Sequence, residues 1–256
     1  RVGMDKVNDN FTNFKFEGTN FTGSLLIGHN ATGTLDNAQY NTGVGIGSLD
    51  ALTTADYNVA IGYNAGTALT TGGDNVLIGG SVGDALTTGN RNVAIGKNAL
   101  TAEVQGDRSV AIGFHALNAQ SNSSSVDAYN TAVGYEAGAA ISTGQKNTLI
   151  GGHAGDSLTT GLDNIAVGYG ALDIETVGKR STAIGTFALA RQSNVDNAVD
   201  IYNVALGYNA GANITTGYRN TVIGSLAGDA ATTSIENTLV GYSSGGVITT
   251  GEKNTA

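Results

Sequence analysis

Residues 58–74 read Asn-Val-Ala-Ile-Gly-Tyr-Asn-Ala-Gly-Thr-Ala-Leu-Thr-Thr-Gly-Gly-Asp, and at Asn75 the phrase begins again. Asn58-Val59-Ala60-Ile61 is short, β-branched and alternating, the signature of a strand. Gly62 follows where the chain must bend tightly or approach another backbone. A second short strand is expected through Ala65 to Leu69, and Thr70-Thr71-Gly72 then turns the chain back. Two strands and two turns in one such phrase make one rung of a solenoid.

The phrase extends in both directions. Its opening residue, Asn or Ser, recurs at Ser24, Asn41, Asn58, Asn75, Asn92, Ser109, Asn130, Asn147, Asn164, Ser181, Asn203, Asn220, Asn237 and Asn254. The interval is 17 except for 21 after Ser109 and 22 after Ser181, and a Gly stands four residues after the anchor in all thirteen complete copies. The expected fold is therefore all-β: a parallel β-solenoid (β-roll) of 17-residue coils, two short strands per coil, over residues 24–256. At about 4.8 Å per rung, some fourteen rungs predict a rod on the order of 65 Å long. Interior Gly at this density disfavours helix by roughly 1 kcal/mol each. Residues 1–23 lack the repeat, hold four of the six Phe, and are expected to cap or join the rod. Arg1 is not an initiator Met and Asn254 opens an unfinished rung, so the sequence reads as a piece of a longer fibre.

Two patterns lie on the repeat. Eight residues after the anchor stands Gly (Gly66, Gly83, Gly138, Gly155, Gly211, Gly228) or Leu (Leu100, Leu117, Leu172, Leu189). With Gly, a large apolar residue usually follows three positions later, as at Leu69 or Ile141; with Leu, that position is polar (Glu103, Gln120, Glu175, Gln192). One large side chain per rung at one of two sites is what a constant interior volume requires. Leu49 with Leu52 and Gly228 with Ala231 depart from this rule. The second pattern is a four-rung superunit whose extra residues fall in its fourth rung, near 121–129 and 193–202. Insertions of this kind map to loops on one face. Asn122, Ser124, Asp127, Tyr129, Asn194, Asp196, Asp200 and Tyr202 are accordingly the candidate receptor-contact residues.

Composition narrows the function. A net charge of −9 argues against nucleic acid, which needs a basic stripe, and against an anionic membrane surface. No apolar run reaches the roughly 18–20 residues that span a bilayer. Without Cys there are no disulfides, thiolate metal sites or Cys nucleophile. His29, His115 and His153 are far apart and read as surface residues at different rung positions. Gly79–Asp84 and Gly151–Asp156 approach a calcium-binding nonapeptide but miss its spacing by one residue. Asp84, Asp156 and Asp229 lie four rungs or more apart, too far to act as a glycosidase pair. No catalytic residue, cofactor or metal is expected.

Asn130–Gly138 (Asn-Thr-Ala-Val-Gly-Tyr-Glu-Ala-Gly), Ser109–Gly113 and Thr159-Thr160-Gly161 resemble the head repeats of YadA-type trimeric adhesins and, more closely, similar repeats in phage tail fibres. That resemblance covers about Ser24 to Ala256 and implies a left-handed β-roll whose three chains wind into one homotrimer. It also implies an extracellular attachment fibre touching a glycan or protein of a bacterial surface, with phage tail fibre placed before adhesin head. A passive spacer rod and an ice-binding solenoid are the other classes; the latter rests on the ladder of Thr pairs from Thr53-Thr54 to Thr249-Thr250.

Remaining features have two readings each. Asn58, Asn75, Asn92, Asn130, Asn147, Asn164, Asn203, Asn220 and Asn237 form either a ligand face or, more in keeping with solenoids, a structural ladder that satisfies turn backbone. Tyr63, Tyr135, Tyr169, Tyr208 and Tyr242 suit sugar stacking or packing at a trimer surface. Mixed charges just before the anchors, such as Asp74, Arg91, Asp163 and Arg180, suit interchain ion pairs or a solvated rim.

Overall fold

The structure, a computed structural model, describes residues 14–15, 21–28, 35–193 and 200–256. Thirteen three-residue strands, from Leu25–Ile27 to Thr238–Val240, lie side by side and parallel in one sheet. Each strand faces its counterpart in the next coil, as Val59, Ala60 and Ile61 face Val76, Leu77 and Ile78. The two insertions leave this register intact: Val110 faces Thr131, and Thr182 faces Val204. Twelve steps of about 4.8 Å make a rod roughly 58 Å long. Upstream, Phe14–Lys15 pairs antiparallel with the first parallel strand at the end of the sheet. Phe21–Thr22 pairs in parallel with Ala38–Gln39, again one period on, so the coil register already runs upstream of Ser24.

From Asn41 on, each coil contains one strand, not the two expected. The stretch Ala65–Leu69 is a run of turns. It stacks through coil-to-coil bonds, with Gly66 N donating to Val82 O at 3.0 Å and Ala68 N to Asp84 O at 3.3 Å. Alternating handedness keeps it from being a strand. Positive φ recurs four, six and eight residues after the anchor: Gly62 at 138°, Asn64 at 53° and Gly66 at 57°. It recurs again just before the anchor, as at Tyr57 (59°) and Asp74 (61°). Leu occupies the eighth position in five coils with φ of 49–56°. A left-handed Leu costs about 1–2 kcal/mol. Complete burial of Leu49, Leu100, Leu117, Leu172 and Leu189 offsets this.

Besides a seventh position that is nearly always a buried Ala, three inward positions share the core: the second, eighth and eleventh after the anchor. A Cβ on Gly66 would lie 2.6 Å from Leu77 Cδ1, and one on Gly155 would lie 2.8 Å from both Leu149 Cδ2 and Leu158 Cδ1. Gly at the eighth position therefore makes room for a large residue at the second position of its own coil or the next, as well as at the eleventh of its own. This third site accounts for both departures from the two-site rule. Leu49 and Leu52 are both buried in a coil whose second position is Gly43, where a Cβ would meet Leu26 Cδ2 at 2.5 Å. Gly228 and Ala231 share a coil with Val222 instead of Ala, and a Cβ on Gly228 would lie 3.2 Å from Leu239 Cδ1 and Val222 Cγ1.

The Asn ladder is structural. Asn58 Oδ1 accepts from the backbone N (3.0 Å) and Nδ2 (3.0 Å) of Asn75, while Asn58 Nδ2 donates to Gly72 O at 3.0 Å. The same three contacts recur through Asn147, Asn164, Asn220 and Asn237, all buried. Each Asn thus fills a donor and an acceptor role that a buried turn would leave open.

Where the ladder changes to Ser109 and Ser181, a buried polar network takes over. Glu103, Gln120, Glu175 and Gln192 are fully buried. Glu103 Oε1 accepts from the backbone N of Val104, Gln105, Gly106 and Asn122 at 2.7–3.1 Å. Its Oε2 accepts from Gln120 Nε2 and Asn122 Nδ2, both at 2.8 Å. Gln120 Nε2 also donates to Ser109 Oγ (2.9 Å), and Gln120 Oε1 accepts from Asn130 Nδ2 at 2.9 Å. The network repeats with Glu175, Gln192, Ser181 and Asn203. In uninterrupted coils the corresponding amides find a carbonyl on the next coil, as Thr70 N finds Thr87 O at 2.9 Å. Beside an insertion the carboxylate supplies much of that acceptance, and Gln carries the ladder across the shortened Ser.

Candidate functional site

The first insertion loop is fastened at both ends by its own chain. Asn122 is buried on Glu103. Asp127 pairs with Arg108, whose guanidinium carbon sits 5.7 Å from the Tyr129 ring centre, and Tyr129 donates to Asp127 Oδ2 at 3.3 Å. Ser124 is exposed. The second loop repeats the clamp: Asp200 pairs with Arg180, which lies 5.8 Å from the Tyr202 ring centre, and Tyr202 donates to Asp200 at 3.2 Å. Asn194 and Asp196 lie outside the described residues. Most of the described candidates here thus hold the loops in place, and Ser124 is exposed with the outer edges of Tyr129 and Tyr202.

A second grouping, not anticipated, lies at the corner after the strand. His115 and His153 share the sixth position of their coils, which corrects the reading that placed the His residues at different rung positions. Rings from successive coils form a continuous track. Phe114 stacks on His115 (4.0 Å between centres) and on Tyr135 (5.4 Å), followed by Tyr135 to His153 at 5.3 Å, His153 to Tyr169 at 5.7 Å and Tyr169 to Phe187 at 5.5 Å. Tyr135 and Tyr169 are half-exposed, at 51% and 53%. Phe187 lies down onto Gly170, where a Cβ would be 2.7 Å from its ring.

Carboxylates border this track. His153 Nδ1 is 3.0 Å from Asp156 Oδ2 and 3.5 Å from Glu136 Oε2. A hydrogen bond to Glu136 raises the Tyr135 hydroxyl above its ordinary pKa. Asp173 sits one coil beyond Asp156, at the same position. Burial first, and then the charge of Asp156 and a hydrogen bond to it, push Asp173 from 3.8 up to about 6, against a lowering by His153. Beyond Asp173 an open cavity of about 570 Å³ is lined by Ile174, Phe187, Arg191, Asn209 and Asn213, with Arg191 donating to Asn213 Oδ1 at 2.9 Å.

The raised carboxyl has a consequence for pH. Asp173 binds its proton more tightly in the folded chain than in the unfolded one. Its stabilisation is therefore full below about 3.8 and is lost as pH rises through about 6. Asp173→Asn is expected to flatten the fall in melting temperature between pH 4.5 and 7 relative to the parent. Identical slopes for the two would contradict this assignment.

The outer face of the sheet carries one continuous apolar column. The third strand residue points outward and is Ile, Val or Leu in all thirteen strands, from Ile27 to Val240, while the first, after Leu25, is Val or Ile in six strands and Thr in six. The two columns lie about 7 Å apart along a rod of about 58 Å. Most of the charged residues before the anchors pair within the chain, coil to coil, as Arg91 with Asp74 at 3.6 Å and Arg219 with Glu236 at 3.1 Å. The first Thr of all but the last pair is also used internally, as Thr53 Oγ1 donates to Thr70 O at 2.9 Å and Thr70 Oγ1 to Thr87 O at 3.1 Å. Among the described residues no helix is long and apolar enough to cross a membrane, and no group of three or more His, Asp or Glu is arranged to hold a metal ion. No protein-family model, curated protein or solved structure matches the chain.

The aromatic track left a signal in the sequence. Phe114, Tyr135 and Tyr169 fall at the fifth position and His115, His153 and Phe187 at the sixth, in five successive coils. Asp156 and Asp173 stand one period apart, which in this fold makes them neighbours.

Proposed function

We propose that the chain is a segment of an extracellular attachment fibre of phage tail-fibre type, in which three copies pack their outer strand faces together. The observation that carries this reading is the unbroken outward column of Ile, Val and Leu along the rod. A chain of net charge −9 that keeps Ile, Val or Leu outward in thirteen consecutive strands offers that face to a partner. The partner best matched in length and period is another copy of the chain. The number three comes from the resemblance of the repeats to trimeric fibre heads.

Ile150 lies midway along the column and is 40% exposed in the single chain. Ile150→Lys is expected to reduce the particle from three chains to one while the β-sheet signal in circular dichroism persists. Unchanged mass would place the contact elsewhere. Attachment is tested with fluorescently labelled chain on a broad panel of bacterial strains. Saturable retention on some strains, displaced by unlabelled chain, is the expected result. Absence of retention on every strain, with the assembly intact, would leave only a spacing rod.

A further inference from the structure

The corner from Phe114 to Phe187 has features that the stacking of coils does not require. Uninterrupted coils fold with Gly80 or Lys97 at the fifth position and Ser81 or Asn98 at the sixth, so rings there are not a condition of the fold. Yet five successive coils place rings at this corner, and they touch one another in an unbroken series. Tyr135 bonds to Glu136 and packs on His153, which in turn contacts Asp156, so carboxylates line the track. It leads to the open cavity, where Phe187 meets Asp173, Arg191, Asn209 and Asn213.

We infer that this corner binds a neutral pyranose oligosaccharide, with one sugar seated in the cavity on Phe187 and further units along the rings toward Tyr135. The inference rests on the attachment reading above and names its ligand. Apolar C–H faces of pyranoses pack on aromatic rings, while planar carboxylate, amide and guanidinium groups accept from and donate to ring hydroxyls. The cavity falls within the roughly 300–1,000 Å³ typical of small-ligand sites. An extended oligosaccharide repeats on nearly the length scale of the coils, which are about 4.8 Å apart. Charge decides against acidic sugars. Glu136, Asp156 and Asp173 border the track, the chain carries −9, and Arg191 is tied to Asn213.

The test uses the whole chain with neutral tetrasaccharides of glucose, galactose, mannose and N-acetylglucosamine, and oligosialic acid as the acidic control. Saturation-transfer NMR reports the sugar protons in contact. Tyr fluorescence reports the protein side, free of Trp because the chain has none. Phe187→Leu removes the ring but keeps an apolar side chain that this position tolerates, as Leu226 shows at the same place with φ of 58°. It and Asp173→Asn are each expected to weaken binding about tenfold. The inference is overturned if no neutral tetrasaccharide gives saturable binding, if oligosialic acid binds better than all of them, or if Phe187→Leu binds as the parent does. Light-scattering mass on the same samples separates the two claims. An intact assembly without sugar binding overturns this inference alone, and a single-chain mass with sugar binding overturns the assembly alone.

Discussion

Gly151→Ala is expected to destabilise the chain by about 3–5 kcal/mol, from backbone strain and overpacking together. In melting temperature this is a fall of about 10 °C or more. Gly151 holds φ of 132°, and a Cβ there would lie 2.6 Å from Gly168 O and 2.7 Å from Gly168 C. Those atoms belong to the next coil's backbone, which is itself stacked on a third, so nothing can move aside. The neighbouring Gly152 supplies the control. Its φ is not in the left-handed region, and the nearest atom to its Cβ would be Tyr169 Cδ2 at 3.4 Å. Gly152→Ala is expected to stay within about 1 kcal/mol of the parent. Equal melting temperatures for the two variants would contradict a column of coils in backbone contact at the fourth position.

Glu175→Gln is expected to cost about 3 kcal/mol although it changes one atom and keeps the volume. Donors surround the Glu175 carboxylate: the amides of Thr176, Val177 and Gly178 on one oxygen, and Gln192 Nε2 on the other. An amide group in its place sets one NH₂ against a donor. Flipping Gln192 to meet it would turn Gln192 Nε2 toward Asn203 Nδ2, now bonded to Gln192 Oε1 at 2.9 Å. Asn203 cannot flip in turn, because its Oδ1 accepts from Asn220 N at 2.9 Å. The mismatch therefore has no cheap exit along the ladder. Chemical denaturation reads the effect directly, and a variant as stable as the parent would mean that the network is not needed to close the coil beside the insertion.

What the sequence disclosed and what it concealed both follow from the repeat. Strand position and register were legible because Asn or Ser, a small inward residue and Gly recur at fixed offsets, and each offset has one physical use. The expected second strand fails because the backbone of Ala65–Leu69 and the residues before it alternates in handedness. Gly announces positive φ in a sequence, and Asn, as at Asn98, hints at it. Leu100 adopts it too, and nothing in its chemistry says so. The rule of one large side chain at two sites was incomplete for a related reason. The third site, two residues after the anchor, packs against eighth-position residues of its own and the preceding coil, so Gly43 and Val222 enter the balance only when the coils are stacked.

The buried carboxylates were the least expected residues. A Glu or Gln at an inward position reads as a surface residue, since such groups are rarely buried unless paired. The pairing was nonetheless written in the order of the coils. Glu103 and Glu175 stand in coils that open with Asn, and Gln120 and Gln192 in coils that open with Ser. The site was legible in part. Asn122, Asp127, Tyr129, Asp200 and Tyr202 belong to the insertions as expected, but their contacts secure the loops. The aromatic corner is assembled from residues about one period apart, invisible until the period is used as a map of neighbours.

Whether the outer strand face is shared between copies of the chain is tested most directly by the mass of the chain in solution, measured by light scattering. Three times 25.7 kDa, about 77 kDa, is the predicted result, with the same value across a tenfold dilution. A stable particle of 25.7 kDa that stays soluble would contradict it, leaving the column uncovered and the attachment fibre without its assembly.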